Sequence, residues 1–145
     1  MKKIPWGIFA LISVVAGYAL NLVDTSIGGY AKLYNLLVTI GYLAFWIVFL
    51  IFNRKDKRRL MISCIVAGIT CFSSVLITIV NFTDYTIVYW DTIYLLTFFA
   101  TPFYGVRLII HTMSWCMVTI SILTAIWFVS SVIFLQNATK KGNIT

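Results

Sequence analysis

The stretch Asn53-Arg54-Lys55-Asp56-Lys57-Arg58-Arg59 decides the fold class of this chain, because it sets five basic residues between two long apolar runs. Each run is long enough to cross a bilayer, which takes roughly 20 residues of a helix rising about 1.5 Å per residue. Lys and Arg in short loops stay on the cytoplasmic side of a membrane, the positive-inside rule. This stretch, called the basic turn below, therefore predicts a membrane protein and places its own loop in the cytoplasm.

The composition favours lipid over water as the surrounding solvent. Of 145 residues, 61% are hydrophobic and only 10% are charged, so a soluble fold would lack an adequate polar surface. The net charge of +7 could indicate nucleic-acid binding if the basic residues covered one helix face. Most of them instead flank apolar segments: Lys2, Lys3, Arg54, Lys55, Lys57, Arg58, Arg59, Lys140 and Lys141. We therefore read them as topology signals and expect no nucleic-acid partner.

Four apolar segments are predicted transmembrane helices, at about residues 4–23, 33–52, 60–80 and 105–135. Helices are expected even where Val, Ile and Thr are frequent, because backbone amides in hydrocarbon must be hydrogen-bonded within the segment. Since neither a repeat nor a linker divides the chain, residues 1–145 are predicted to form one all-α integral membrane domain. The prediction is a four-transmembrane-helix bundle in the cell membrane, multi-pass, with both termini in the cytoplasm.

The first apolar segment has a second interpretation. Lys2 and Lys3 precede it, and Gly17-Tyr18-Ala19 would suit a signal-peptide cleavage site. The apolar run is longer than the core of a usual signal peptide, which favours a retained helix.

The stretch between the third and fourth segments fits a membrane span poorly. Only fifteen uncharged residues separate Asp91 from Arg107, and Pro102 and Gly105 interrupt them. A further crossing would also place the basic C-terminal residues outside. We therefore predict a short interfacial helix at about residues 92–101, at or dipping into the outer membrane surface, followed by a fourth helix that starts near Tyr104.

Few residues are suited to catalysis or to metal binding. The four acids are Asp24, Asp56, Asp84 and Asp91. Without any Glu, they offer little for catalysis by paired carboxylates. The three cysteines, none of them in a CxxC motif, are Cys64, Cys71 and Cys116. A single His cannot complete a zinc or haem site, and the common nucleotide-binding, metalloprotease and serine-hydrolase motifs are missing. We predict a protein that is not an enzyme and that needs no cofactor and no metal.

Two sets of residues are candidate functional surfaces. The predicted outer-face polar cluster comprises Asp24, Asp84, Asp91, Arg107 and His111. In this cluster we predict an ion pair between Asp24 and Arg107 across the mouth of the bundle. Arg107 and His111 could also bind an anion or a lipid headgroup, or His111 could sense protons. The simpler alternative is that Arg107 reaches the headgroups and His111 caps a polar surface.

The second set consists of small residues with helical spacing. They are Ser13, Gly17 and Asn21 in the first segment, and Cys64, Gly68 and Cys71 in the third. Small residues let two membrane helices approach closely, so these faces are predicted to pack inside the bundle or against a partner's helix.

The layout resembles several unrelated classes of small four-helix membrane proteins, among them accessory subunits of sensor kinases or exporters and membrane immunity proteins. We predict a non-enzymatic accessory or regulatory subunit that contacts the lipid bilayer and another membrane protein, or a second copy of itself. An oligomeric ion or small-solute conduit and an immunity protein are the alternatives, with an enzyme built on the outer-face polar cluster as a third. A monomeric proton pump is disfavoured, because the middle of each span offers only Ser, Thr, Cys and Gly.

Overall fold

The computed structural model describes residues 6–26, 30–83 and 97–142. The long helices in this part of the chain are α1 (Trp6–Ser26), α2 (Leu33–Phe52), α3 (Lys57–Thr83) and α4 (Met113–Gly142). Each of these helices contains a segment that is long and apolar enough to cross a membrane. The prediction of an all-α protein with four candidate membrane-spanning helices is therefore confirmed.

The basic turn joins α2 to α3 through side chains that cap both helices. The Asn53 side-chain amide donates to the carbonyl of Phe49 at 2.7 Å and closes the end of α2. Asp56 accepts the backbone N–H groups of Arg58 at 3.1 Å and Arg59 at 3.2 Å, as an N-cap carboxylate does. The Arg59 guanidinium then contacts both caps, Asn53 at 2.7 Å and Asp56 at 2.8 Å. The turn is therefore held by defined polar contacts as well as by its position at the end of two helices.

Helices α3 and α4 form the most extensive helix pair, and hydroxyl groups run along their contact. Three hydroxyl pairs join them: Ser63 with Ser131 at 2.9 Å, Ser74 with Thr124 at 3.0 Å, and Thr78 with Ser121 at 3.0 Å. Residue numbers rise along α3 as they fall along α4, so the two helices are antiparallel. Gly68 lets the Phe128 ring of α4 pack closely on the α3 backbone, because a methyl group there would lie 3.2 Å from that ring.

We expect the hydroxyl pairs to contribute modestly to stability. In a double-mutant cycle of Ser74→Ala and Thr124→Val, the coupling free energy should be about 0.6 kcal/mol, the average for such hydrogen bonds between membrane helices. Thr124 also donates to the carbonyl of Ile120, so part of its bonding survives the loss of Ser74. The free energy of unfolding in mixed detergent micelles measures the coupling. Strict additivity of the two single variants would show that this contact contributes nothing.

Helices α1 and α2 enclose a stretch of chain that enters the bundle instead of crossing it. Residues 97–100 are α-helical and lead into a 3-10 helix, η1 (Thr101–Leu108), whose first six residues are buried. Phe103 is 0% exposed, and its ring lies 5.4 Å from that of Tyr42, halfway along α2. We call residues 97–110 the inserted segment. It reaches the centre of the bundle, where the Trp46 and Trp127 rings lie 4.5 Å apart.

The inserted segment changes the predicted boundaries. The fourth helix was predicted to begin at about residue 105, but α4 begins at Met113, because residues 101–108 form η1 and a turn follows. Pro102, which lacks a backbone N–H, stands at the start of η1 and favours this break. Of the predicted interfacial helix at 92–101, residues 97–101 lead into the bundle interior, and Ala100 and Thr101 are buried there. Residues 92–96 lie outside the described residues.

Candidate functional site

Asn35, near the start of α2, is the centre of a buried polar network. Its side-chain carbonyl accepts the backbone N–H of Lys32 at 2.6 Å, which caps α2. Its amide nitrogen donates to the side-chain carbonyl of Asn21 at 3.0 Å and to the carboxylate of Asp24 at 3.1 Å. Asn35 is 0% exposed, so these partners replace water completely. One amide thus fixes the start of α2 against the end of α1.

Asn21 carries the network from α1 to the inserted segment. Its amide nitrogen donates to the carbonyl oxygens of Thr101 at 3.0 Å and Pro102 at 3.3 Å. These carbonyls stand where the α-helix gives way to η1. Unpaired backbone carbonyls inside hydrocarbon cost several kcal/mol each, on the order of the transfer penalty for an amide. Asn21 therefore stabilises non-α backbone in the interior of the bundle.

Thr39 supplies the second clamp, from α2. Its hydroxyl donates to the carbonyl of Pro102 at 2.8 Å and accepts the backbone N–H of Gly105 at 3.0 Å. Both groups come from η1, so one hydroxyl bridges two of its backbone atoms.

Two glycines allow the inserted segment to lie this close to α1 and α2. A methyl on Gly105 would lie 2.3 Å from the carbonyl oxygen of Asn35, which is backbone and cannot turn aside. A methyl on Gly17 of α1 would lie 2.9 Å from Pro102. Glycine at both positions lets the chain pack at these distances.

Asp24 pairs with Lys32, which differs from the predicted pairing with Arg107. The ammonium of Lys32 lies 3.3 Å from one carboxylate oxygen, and the Tyr34 hydroxyl donates to the other. The Asp24 side chain is 10% exposed, whereas the Lys32 side chain is 67% exposed, so the pair reaches the bundle surface through the lysine. The predicted pairing failed because Lys32 is only eight residues away from Asp24 along the chain and stands directly before α2.

The remaining members of the predicted outer-face cluster are partly described. Asp84 and Asp91 lie outside the described residues. Arg107 donates to the Tyr104 hydroxyl at 2.9 Å, and its guanidinium carbon lies 5.7 Å from the centre of that ring. His111 is exposed, two residues before α4. The structure does bring Arg107 and His111 together, since both line a cavity of about 150 Å³ beside Tyr30 and Ala31.

A second cavity, of about 230 Å³, also has Arg107 in its wall. Its lining comes from α3, the inserted segment and α4: Ile77, Thr97, Ala100, Thr101, Tyr104, Arg107, Met113, Cys116, Met117 and Ile120. The described part of the wall is thus largely apolar, and η1 contributes its one cation, Arg107. We call this the Arg107 cavity.

The predicted small-residue faces serve largely as contacts inside the bundle. Gly17 and Asn21 hold the inserted segment, and Gly68 packs against α4. Ser13 donates to the carbonyl of Ala10 on its own helix at 2.8 Å. Cys64 and Cys71, the two cysteines of the predicted face on the third helix, are half-buried and form no disulfide.

One exposed groove nevertheless remains between α1 and α2, with a volume of about 300 Å³. We call it the α1–α2 groove, and its lining residues are Ser13, Ala16, Gly17, Leu20, Val38, Gly41, Tyr42 and Phe45. Gly41 is exposed, and a methyl group built on it would meet no atom within 4 Å.

Within the described ranges, no three His, Cys, Asp or Glu side chains come together in a way that could hold a metal ion.

The sequence analysis singled out Asn21 and Asp24 but missed Asn35 and Thr39. All four belong to the buried polar network centred on Asn35. A signal existed for Asn35, because a carboxamide in an apolar transmembrane segment is costly unless it is paired.

Comparison with known proteins gives no match: no protein-family model, curated protein or solved structure is significantly similar to this chain.

Proposed function

We propose that this chain is a non-enzymatic accessory or regulatory subunit of a larger assembly in the cell membrane. Its basic turn and the basic residues near both ends of the chain favour a cytoplasmic position for both termini. In this role it binds another membrane protein through contacts between transmembrane helices.

The α1–α2 groove is the observation that carries the proposal. Small residues line much of it, and Gly41 leaves open space where other residues would project a side chain. In membranes, such surfaces let a second helix approach closely enough for van der Waals packing to hold the pair. The occupant we propose is a transmembrane helix of a different membrane protein.

The use of polar side chains within the described part of the chain agrees with a binding role. The hydroxyls of α3 and α4 pair with one another, and the amides of α1 and α2 hold the inserted segment. These groups are therefore committed to packing within the bundle.

Filling the α1–α2 groove should separate the protein from its partner without unfolding it. Gly41→Leu places a branched side chain in the open space. The amount of a stoichiometric partner that co-purifies from native membranes in mild detergent should fall by at least about tenfold. A tenfold fall corresponds to a loss of about 1.4 kcal/mol in the binding free energy. Ile47→Phe is the matched control, because Ile47 is a 57% exposed residue on α2 outside the groove.

Three outcomes would each count against a different part of this proposal. Equal partner recovery from both variants would place the contact elsewhere than the α1–α2 groove. Recovery of a second copy as the only bound protein would make the groove a self-association surface. Ion flux through proteoliposomes that contain this protein alone would favour the oligomeric conduit.

A further inference from the structure

We propose that the Arg107 cavity binds an anionic amphiphile, with its phosphate or carboxylate beside Arg107 and His111 and its hydrocarbon chain among the apolar walls. This inference concerns a different face of the molecule from the α1–α2 groove and does not depend on the proposed partner.

Arg107 connects two spaces of different character. On one side is the small cavity that it shares with His111, where Tyr30 and His111 are exposed at the surface. On the other side is the larger Arg107 cavity, whose lining is mostly apolar. An amphiphile has the same division, with a charged head and an apolar chain joined at one point. Arg107 stands at the boundary between the two environments.

The chemistry of the guanidinium suits the proposed headgroup. Its planar fork of N–H donors matches the oxygen atoms of a phosphate or a carboxylate. The Tyr104 hydroxyl accepts one of these N–H groups at 2.9 Å and thereby orients the guanidinium at the cavity wall. The His111 imidazole offers a further N–H donor from the neighbouring cavity.

The depth of the cavity suits a hydrocarbon chain. Its lining extends along α4 from Met113, the first residue of that helix, to Ile120. Seven residues of α-helix correspond to about 10 Å. The opposite wall includes Ile77 of α3, six residues before that helix ends. The cavity thus runs from the end of the bundle into its apolar interior, the direction in which a lipid chain lies.

Photo-cross-linking in phosphatidylcholine nanodiscs tests this proposal with the full-length protein. The probes are phosphatidic acid and phosphatidylcholine that carry the same diazirine-labelled acyl chain, and the labelled peptides are identified by mass spectrometry. With the wild-type protein, phosphatidic acid should label residues 113–120 about tenfold more than phosphatidylcholine does, because hydrogen bonds to a charged headgroup are stronger than those to a neutral one. Equal labelling by the two probes would overturn the proposal, and this comparison needs no variant.

Two variants assign the preference to a residue. Arg107→Gln should abolish the preference for phosphatidic acid, whereas Lys140→Gln removes the same charge at the opposite end of α4 and should leave it unchanged. Retention of the preference in a folded Arg107→Gln protein would overturn the assignment. If that variant does not fold, His111→Gln, on the exposed turn, should still lower the preference measurably, and an unchanged ratio would count against the site.

A competition experiment separates a lipid from free phosphate. Millimolar inorganic phosphate should leave the labelling by phosphatidic acid in place, because the chain in the Arg107 cavity contributes most of the binding. Complete displacement by inorganic phosphate would disprove that the hydrocarbon chain contributes most of the binding. It would identify a site for a free anion instead.

Discussion

Replacing Asn35 with leucine is expected to lower the free energy of unfolding by about 3 kcal/mol, because the substitution breaks a buried network that includes a carboxylate. The variant removes the donor to Asp24, the donor to Asn21 and the acceptor for the Lys32 backbone N–H together. Leucine adds apolar volume but returns none of these hydrogen bonds. Since Asn35 is 0% exposed, water cannot replace them without opening the bundle.

Unfolding by increasing the fraction of sodium dodecyl sulfate in mixed micelles, followed by far-ultraviolet circular dichroism, measures this effect. Asn137→Leu is the matched control, because it makes the same chemical change at an exposed position of α4. The control should stay within about 0.5 kcal/mol of the wild-type protein. Equal stability of the two variants would mean that the Asn35 hydrogen bonds contribute nothing net to the fold.

Gly105→Ala is expected to destabilise the protein by about 3 kcal/mol, at the upper end of the usual cost of overpacking. The added methyl group would lie 2.3 Å from the Asn35 carbonyl oxygen and 2.4 Å from the Cα of Leu36. Both atoms belong to the backbone of α2, so η1 must move away. That movement would lengthen the hydrogen bond from the Gly105 N–H to Thr39.

Gly41→Ala provides the control, at an exposed position of α2. Its methyl group meets no atom within 4 Å, and alanine is favoured over glycine by about 1 kcal/mol inside a helix. The two Gly→Ala substitutions should therefore shift the unfolding midpoint in opposite directions in the same detergent titration. If Gly105→Ala left the midpoint unchanged, the close approach between η1 and α2 would be disproved.

The four helices were predictable from the sequence because each is specified by its own run of apolar residues. The basic turn and the α2 boundaries, Leu33–Phe52, followed from the same local pattern. A hydroxyl in a helix can bond to a carbonyl of the preceding turn, and Thr124 does so. That they also pair across the interface depends on the relative rotation of two helices, which no local pattern specifies.

The inserted segment was not predictable in the same way. Pro102 and Gly105 indicated an interruption of the helix, but not its burial between α1 and α2. The burial depends on Asn21 and Thr39, whose partners lie 80 and 63 residues away along the chain. A pattern confined to one segment cannot show that a side chain elsewhere supplies the missing hydrogen bond. For Asp24 the error was the reverse: a distant partner, Arg107, was predicted, and the actual partner is the nearby Lys32.

The long separation along the chain between Thr39 and Pro102 also has a consequence for biosynthesis. Thr39 emerges from the ribosome 63 residues before Pro102, a delay on the order of several seconds at the usual rate of translation. During that interval the hairpin of α1 and α2 exists without the chain that its Asn21 and Thr39 side chains bind. Those side chains must then find other partners, such as water or the insertion machinery. Docking of residues 101–105 is accordingly a late assembly step, in which the nascent protein exchanges temporary hydrogen bonds for permanent ones.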